Sequence, residues 1–380
     1  MSQRRPAVGK SLHCLCSLTL LVAVAACSSG PQRPQPAELP PSANLIGVRQ
    51  AWAAKIGAVN FALEVKVTDQ TVALANSEGT VLVLDSRTGE KLWQAALGEP
   101  LAAGIGHDGR IAAVMTQNNE LVALEAGREL WRQRMAAPSF TAPLVAGARV
   151  FVLGADRAVT AFDGQTGRRI WTQQRQGEPL VLRHAGVLLA VGDTLVAGLS
   201  GKLVGLNPLN GSVRWEAPIA SPRGTNDVER LVDLVAPASR QGGVVCARAF
   251  QTSVGCADAV RGALLWTKAA SGSIGVGGDD GLLVGVEADG TLIAWKRPDG
   301  ERAWTLEQLR YRNLTAPVVV GRSVVLGDDR GTLYFLSRND GSAQTRISTD
   351  GSAIVAAPTL AGNTLIVVTR NGGVFGFRPE

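Results

Sequence analysis

Charge is scarce in this chain. Only 18% of its 380 residues are charged, and no block of like charge occurs. Three of the basic residues, Arg4, Arg5 and Lys10, fall in an N-terminal segment expected to be removed, which leaves 35 basic against 32 acidic residues. That balance is too even and too dispersed for a nucleic-acid footprint. No apolar run of about 20 residues occurs past the N-terminus, so the body holds no candidate membrane-spanning helix. Histidine is nearly missing too: His13 lies in the N-terminal segment, and only His107 and His184 remain. Without a G-x-S-x-G elbow neither can anchor a Ser/His/Asp triad. Two scattered His and two spare Cys do not supply the cluster that a metal site wants. What is plentiful is glycine, 44 residues, roughly 12% against the usual ~7%. Beside it stand 8 Trp. This balance points to a turn-rich, all-β protein.

The first 26 residues read as an address. Arg4, Arg5 and Lys10 form a positive region and Ser11 to Ala26 an apolar one, as in a secretory signal peptide. Val24-Ala25-Ala26-Cys27 has the form of a lipobox, in which Cys27 is acylated and becomes the mature N-terminus. An ordinary small-residue cleavage site is the alternative, but it would leave Cys27 as a stray thiol in an oxidising compartment. Acyl chains would anchor the chain firmly, since each buried CH₂ contributes about 0.8 kcal/mol. Ser28, where lipoproteins held at the inner membrane often carry Asp, favours the outer membrane. Ser28 to Ala43, with prolines at 31, 34, 36, 40 and 41, reads with its flanks as a tether over 27–44. Extended near polyproline II, it would span at most about 50 Å.

Residues 45–380 repeat. Gly89, Gly127, Gly167, Gly211, Gly262 and Gly300 each precede a tryptophan by four positions: Trp93, Trp131, Trp171, Trp215, Trp266 and Trp304. Gly341 has Thr345 in that place, and Asp85, Asp163, Asn207 or Asp258 stands four residues before its glycine. The unit is a hairpin whose turn needs an Asx cap and a left-handed glycine. An earlier hairpin precedes each one, giving about four strands per period. From Trp52 to Trp304 the periods are 41, 38, 40, 44, 51 and 38 residues, the spacing of propeller blades. A solenoid is the competing array, but the ends complete each other. Trp52 opens as an outermost strand with no blade, and 371–378 closes as a third strand with no outer partner. Third strands near residues 81, 121, 159, 203, 254, 292, 333 and 374 count eight blades in a closed ring. The six motif tryptophans are read as structural, locking adjacent sheets.

Elsewhere the residues offer little chemistry. Asp279-Asp280 and Asp328-Asp329 read as solvated turn caps. Gly272 to Gly281 has a phosphate loop's composition without its lysine or following helix. Cys14 and Cys16 leave with the signal, so Cys246 and Cys256 remain, each five residues from Gln251. An even sum of positions pairs them directly across an odd-length loop, and an oxidising compartment favours a disulfide over two buried thiols.

The unit from Val83 to Trp93, and again from Ala161 to Trp171, resembles the repeat of the pyrroloquinoline-quinone (PQQ) dehydrogenase propellers. That enzyme class needs a vicinal Cys-Cys disulfide and calcium-binding carboxylates, and no Cys-Cys pair is present. A PQQ-dependent dehydrogenase is thus the alternative reading, and a sensor or sugar-binding propeller a third. Signal, tether and a lone propeller together resemble the propeller lipoproteins of the outer-membrane β-barrel assembly (BAM) machinery. Leu180-Val181-Leu182-Arg183 resembles that family's L-x-L-R string, and Glu229-Arg230-Leu231-Val232-Asp233 its D-R-L-x-D-x-D string, with Val235 in place of the final Asp. The resemblance implies a non-enzymatic scaffold without cofactor, held at the outer membrane. It would dock on the periplasmic POTRA domains of BamA to promote folding and insertion of barrel proteins, with nascent outer-membrane proteins as a second class of partner. Both strings fall between the outermost strand of one blade and the innermost strand of the next, hence on one face and on neighbouring blades. Leu180 and Leu182 would be apolar anchors, with Arg183, Arg230 and Asp233 as charged orienting groups. Loops that tuck back into their blades are the plainer alternative.

Overall fold

The computed structural model describes residues 1–3, 34–175, 180–222, 225–227 and 230–380. Cys27, its lipobox and the signal segment from Arg4 onward lie outside the described residues. Ala37–Glu380 forms one compact unit, and the described residues of Met1–Pro36 carry no strand or helix. All regular structure in the described residues is strand, arranged as eight four-stranded antiparallel sheets.

Seven sheets are continuous in sequence, from 66–96, 101–134, 144–173, 188–218, 234–269, 276–306 and 318–348. The eighth is composite. Thr359–Ala361, Thr364–Val368 and Gly373–Pro379 supply its inner three strands, and Val48–Lys55 adds the outermost, with Trp52 opposite Gly376. Thr359–Ala361 also stands beside Lys66–Thr68 of the first blade, so the ring closes between the chain's two ends. The architecture is the expected all-β eight-bladed propeller, and closure removes the open edges that a linear array would leave.

Burial follows from this arrangement. The middle strands of each blade are covered on both faces and read as continuous apolar runs, such as Thr71–Ala75 and Thr80–Asp85. Outermost strands such as Lys91–Ala96 and Ala263–Ala269 bury one residue and expose most of the rest. The core is not central. Each buried apolar cluster joins two neighbouring blades, as Val83 and Leu101 join the first and second, or Val325 and Val367 the seventh and eighth.

Gly and Trp of the repeat meet across blades, not within one. The indole N–H of Trp131 donates to Gly164 O at 2.8 Å, that of Trp171 to Pro208 O at 3.0 Å, and that of Trp266 to Arg297 O at 2.8 Å. Trp52 and Trp304 do the same with Ser86 O and Arg338 O. Each acceptor lies in the following blade's turn, three residues before its glycine. That glycine is left-handed, with φ +69° at Gly167, and a Cβ there would lie 2.6 Å from the Trp131 ring. The position therefore demands glycine twice, for its dihedral and for the approach of the ring. Trp215 packs on Gly262, but its buried Nε1 finds no partner among the described residues. Trp93 meets a shortened turn, Ala126–Gly127, both residues at positive φ. Thr345 replaces tryptophan where the following turn is replaced by the incoming chain, and its hydroxyl meets Asn44 Oδ1 at 3.3 Å. Within the turns, Asp85 Oδ1 accepts Arg87 and Thr88 N–H, and Asp163 Oδ1 accepts Gln165 and Thr166 N–H. These backbone donors hold both carboxyls below the usual aspartate range.

Cys246 and Cys256 face each other in register, across a three-residue loop with Gln251 at φ +49°, and are joined by a disulfide. The segment read as a tether reaches the propeller before residue 45. Arg312 donates to Ala37 O, Leu39 packs on the layer between the sixth and seventh blades, and Leu45 N–H donates to Gln344 O at 2.8 Å. A Pro-rich stretch shows no periodicity from which such cover can be read.

Candidate docking face

The two strings lie in successive interblade connections, between Arg169–Gln173 and Leu188–Val191 and between Val213–Pro218 and Leu234–Gln241. Residues 176–179, 223–224 and 228–229, Glu229 among them, lie outside the described residues. In an up-and-down ring both connections emerge on the same face, and here they touch. Leu182 N–H donates to Asp233 Oδ2 at 2.9 Å. Gly186 bridges Val235, and Ala236 N–H donates to Ala185 O at 2.9 Å. These bonds extend the contact down to the strands.

The side chains then divide. Leu180 is 41% exposed and Val181 38%, an exposed apolar pair on a backbone held from beneath. Leu182 is half-buried and lines a small cavity with Leu153, Leu199 and Leu234. Arg183 is exposed, its guanidinium 5.4 Å from the Phe140 ring centroid, a cation–π contact that restrains the head without hiding it. Arg230 is exposed, and its N–H donates to Asn226 O at 3.2 Å. Asp233 is half-buried and faces inward, engaged with Leu182 N–H and with Arg157. The structure thus brings Leu180, Leu182, Arg183 and Asp233 into one patch. Arg157 and Phe140 belong to it as well, and neither carries a sequence signal. Each is linked to the strings only through contacts across the fold.

Val235 is 1% exposed and stands opposite Arg248 on the next strand. Arg248 is wholly buried, and its Nη2 donates to Glu287 Oε1 at 3.0 Å. Burial pulls its guanidinium below the ordinary arginine range, against the raising effect of Glu287. Gly272 and Gly285 leave room for it, since a Cβ at either would meet a guanidinium nitrogen at 2.3 Å. The Gly-rich stretch is thus a cradle for a buried arginine and for close backbone approaches to Pro237 and Pro317.

At the ring's axis on this face lies a cavity lined by the approaches to all eight innermost strands, among them Phe61, Leu63, Phe140, His184 and Leu314. Glu64 is the one carboxylate among its lining residues, and it pairs with Lys66. Such a lining does not fit a quinone held with calcium, the group the repeat resemblance brings with it. That chemistry asks for several carboxylates and a Cys-Cys pair.

Fold and lining define a class: a PQQ-type eight-bladed propeller whose axial cavity carries a single carboxylate among its lining residues. A family model described as "Outer membrane protein assembly factor BamB" matches residues 77–306. The chain belongs to that family, BamB. It is 37% identical over 369 residues to the BamB of Burkholderia pseudomallei, covering 96% of this chain and 97% of the relative. To the BamB of Bordetella pertussis it is 33% identical over 381 residues, 98% of each chain. Among solved structures, BamB from Moraxella catarrhalis superposes with a TM-score of 0.78 at 22% identity, covering 87% of this chain and 99% of that one. A quinohemoprotein alcohol dehydrogenase from Comamonas testosteroni gives 0.68 at 14% identity, covering 88% and 77%. These two structural likenesses speak for the fold alone. The family itself is one of assembly factors, not of enzymes.

Proposed function

We propose that this chain is a scaffold subunit of the β-barrel assembly machinery, held on the periplasmic side of the outer membrane by acylated Cys27. It docks on the POTRA domains of BamA and so promotes folding and insertion of outer-membrane barrels. The observation that carries the reading is the junction of the two family strings, with Leu182 N–H on the Asp233 carboxylate at 2.9 Å and Leu180, Val181 and Arg183 facing out. An exposed apolar pair beside a restrained arginine is the make-up of an interface hot spot. Truncating one member of a desolvated interfacial charge pair costs about 2–5 kcal/mol, whereas a rim charge costs far less.

The test is Arg183→Glu in the full-length lipoprotein, with retention of detergent-solubilised BamA and melting temperature measured together. Loss of retention at an unchanged melting temperature is the expected result; retention at wild-type strength overturns the docking site. The anchor is tested separately. Cys27→Ala should abolish incorporation of labelled acyl chains, and label still incorporated would refute it.

A further inference from the structure

Asp233 belongs to a string that the family resemblance places at the interface, yet its carboxylate is engaged inside the molecule. Oδ2 accepts Leu182 N–H at 2.9 Å, and Oδ1 lies 3.5 Å from Arg157 Nη2. The same Nη2 donates to Leu180 O at 2.9 Å. One ion pair therefore holds a peptide group on each side of Val181. Both of its ends are anchored. The Arg157 side chain is only 9% exposed and springs from the third blade's turn at φ +62°, where its N–H donates to Gly154 O at 3.0 Å. Asp233 O accepts Phe250 N–H, also at 3.0 Å. With the backbone pinned at 180 and 182, the Leu180 and Val181 side chains stay in solvent, where they would otherwise tend to collapse onto the blade.

We propose that Arg157 is a positioning residue of the docking face. With Asp233 it presets the Leu180–Leu182 backbone in its binding shape, so that Asp233 acts through this clamp and not by touching the partner. The inference rests on the docking reading above. Its physical basis is preorganisation: a loop ordered before encounter does not lose that freedom on binding. Removing Arg157 would leave the half-buried Asp233 carboxylate without this cation beside it.

The experiment is a double-mutant cycle on the full-length lipoprotein, with detergent-solubilised BamA as the probe. Dissociation constant, melting temperature and hydrogen exchange at the Leu182 amide are read for Arg157→Ala, Asp233→Ala and the double variant. Each single change should weaken binding about tenfold, the scale of a coupled pair, and should speed exchange at Leu182. The double variant should bind no worse than either single. Arg157→Lys, which keeps the charge beside Asp233, should recover part of the affinity. Losses that multiply in the double variant would mean that Asp233 meets the partner itself, and would overturn the proposal. If Arg157→Ala does not fold, Asp233→Asn decides, because it retains an acceptor for Leu182 N–H while removing the negative charge beside Arg157. Weaker binding with faster exchange at the Leu182 amide then supports the clamp, and either wild-type binding or weaker binding with unchanged exchange overturns it. Wild-type binding by both Arg183→Glu and Arg157→Ala brings down the docking reading itself. Wild-type binding by Arg157→Ala alone brings down only the clamp.

Discussion

The two faces of the ring are built on different principles. On one, where third strands turn into fourth, Asp or Asn caps and left-handed glycines recur, and most indoles donate to the next blade's turn. On the other, the turns from second to third strand recur too, with left-handed glycines at Gly79, Gly201, Gly290, Gly331 and Gly372. The connections between blades do not, and the Arg157–Asp233 ion pair joins one such turn to one such connection. Periodicity marks the turns that hold the blades and the ring together. Function is sought where periodicity fails, because a partner needs a surface that singles out particular blades, and a repeated turn cannot provide one.

Removing an interblade tryptophan should give the largest effect. Trp131 is 8% exposed and donates to the third blade's turn. Trp131→Ala deletes an aromatic from a packed layer and should cost about 3–5 kcal/mol of stability. BamA retention per mole of folded protein should not change. Arg183→Glu is the converse, with binding lost and melting temperature kept. A shared loss in both variants would break the distinction between the faces, since it would couple the tryptophan ring to the docking loops.

Much of the repeating face is legible in the sequence, because a hairpin's needs are local. An Asx cap, a glycine four residues on and a tryptophan four beyond fall within one short window. That the tryptophans lock adjacent sheets is legible; that each one's partner is the next unit's own motif glycine is not, since the spacing names no partner. Closure is legible from Trp52 and 371–378, two half-blades that each lack what the other has. The proposed docking face is legible only as strings and loop positions. Arg157 lies 23 residues from Leu180, and nothing local marks it as the donor to that carbonyl. Likewise Arg248 explains Gly272 and Gly285 from outside their segment. A buried charge and the glycines that make room for it leave no periodic trace.

The smallest effect should come from protonation on the repeating side of the molecule. His107 ends the innermost strand of the second blade, is 7% exposed, and accepts Gly109 N–H through Nδ1 at 3.3 Å. Burial pushes its imidazole below the ordinary histidine range, against a weaker pull upward from Asp108. In the unfolded chain the same ring titrates near 6.5. Between that value and the lower folded one, the unfolded state therefore binds a proton that the folded state refuses. Stability contributed by the neutral ring is complete above about pH 7.5, falls as the pH drops through 6.5, and stops falling below the folded value. Asp85 and Asp163, held low by backbone donors, lose their contribution only in the acid range. Melting temperatures from pH 8 to 6 thus separate the imidazole from the carboxylates. The wild-type chain should show a small decline over that window. His107→Asn, which can still accept from Gly109, should flatten it, while the docking face binds BamA equally at both ends. Equal slopes in wild type and variant would remove His107 from the account.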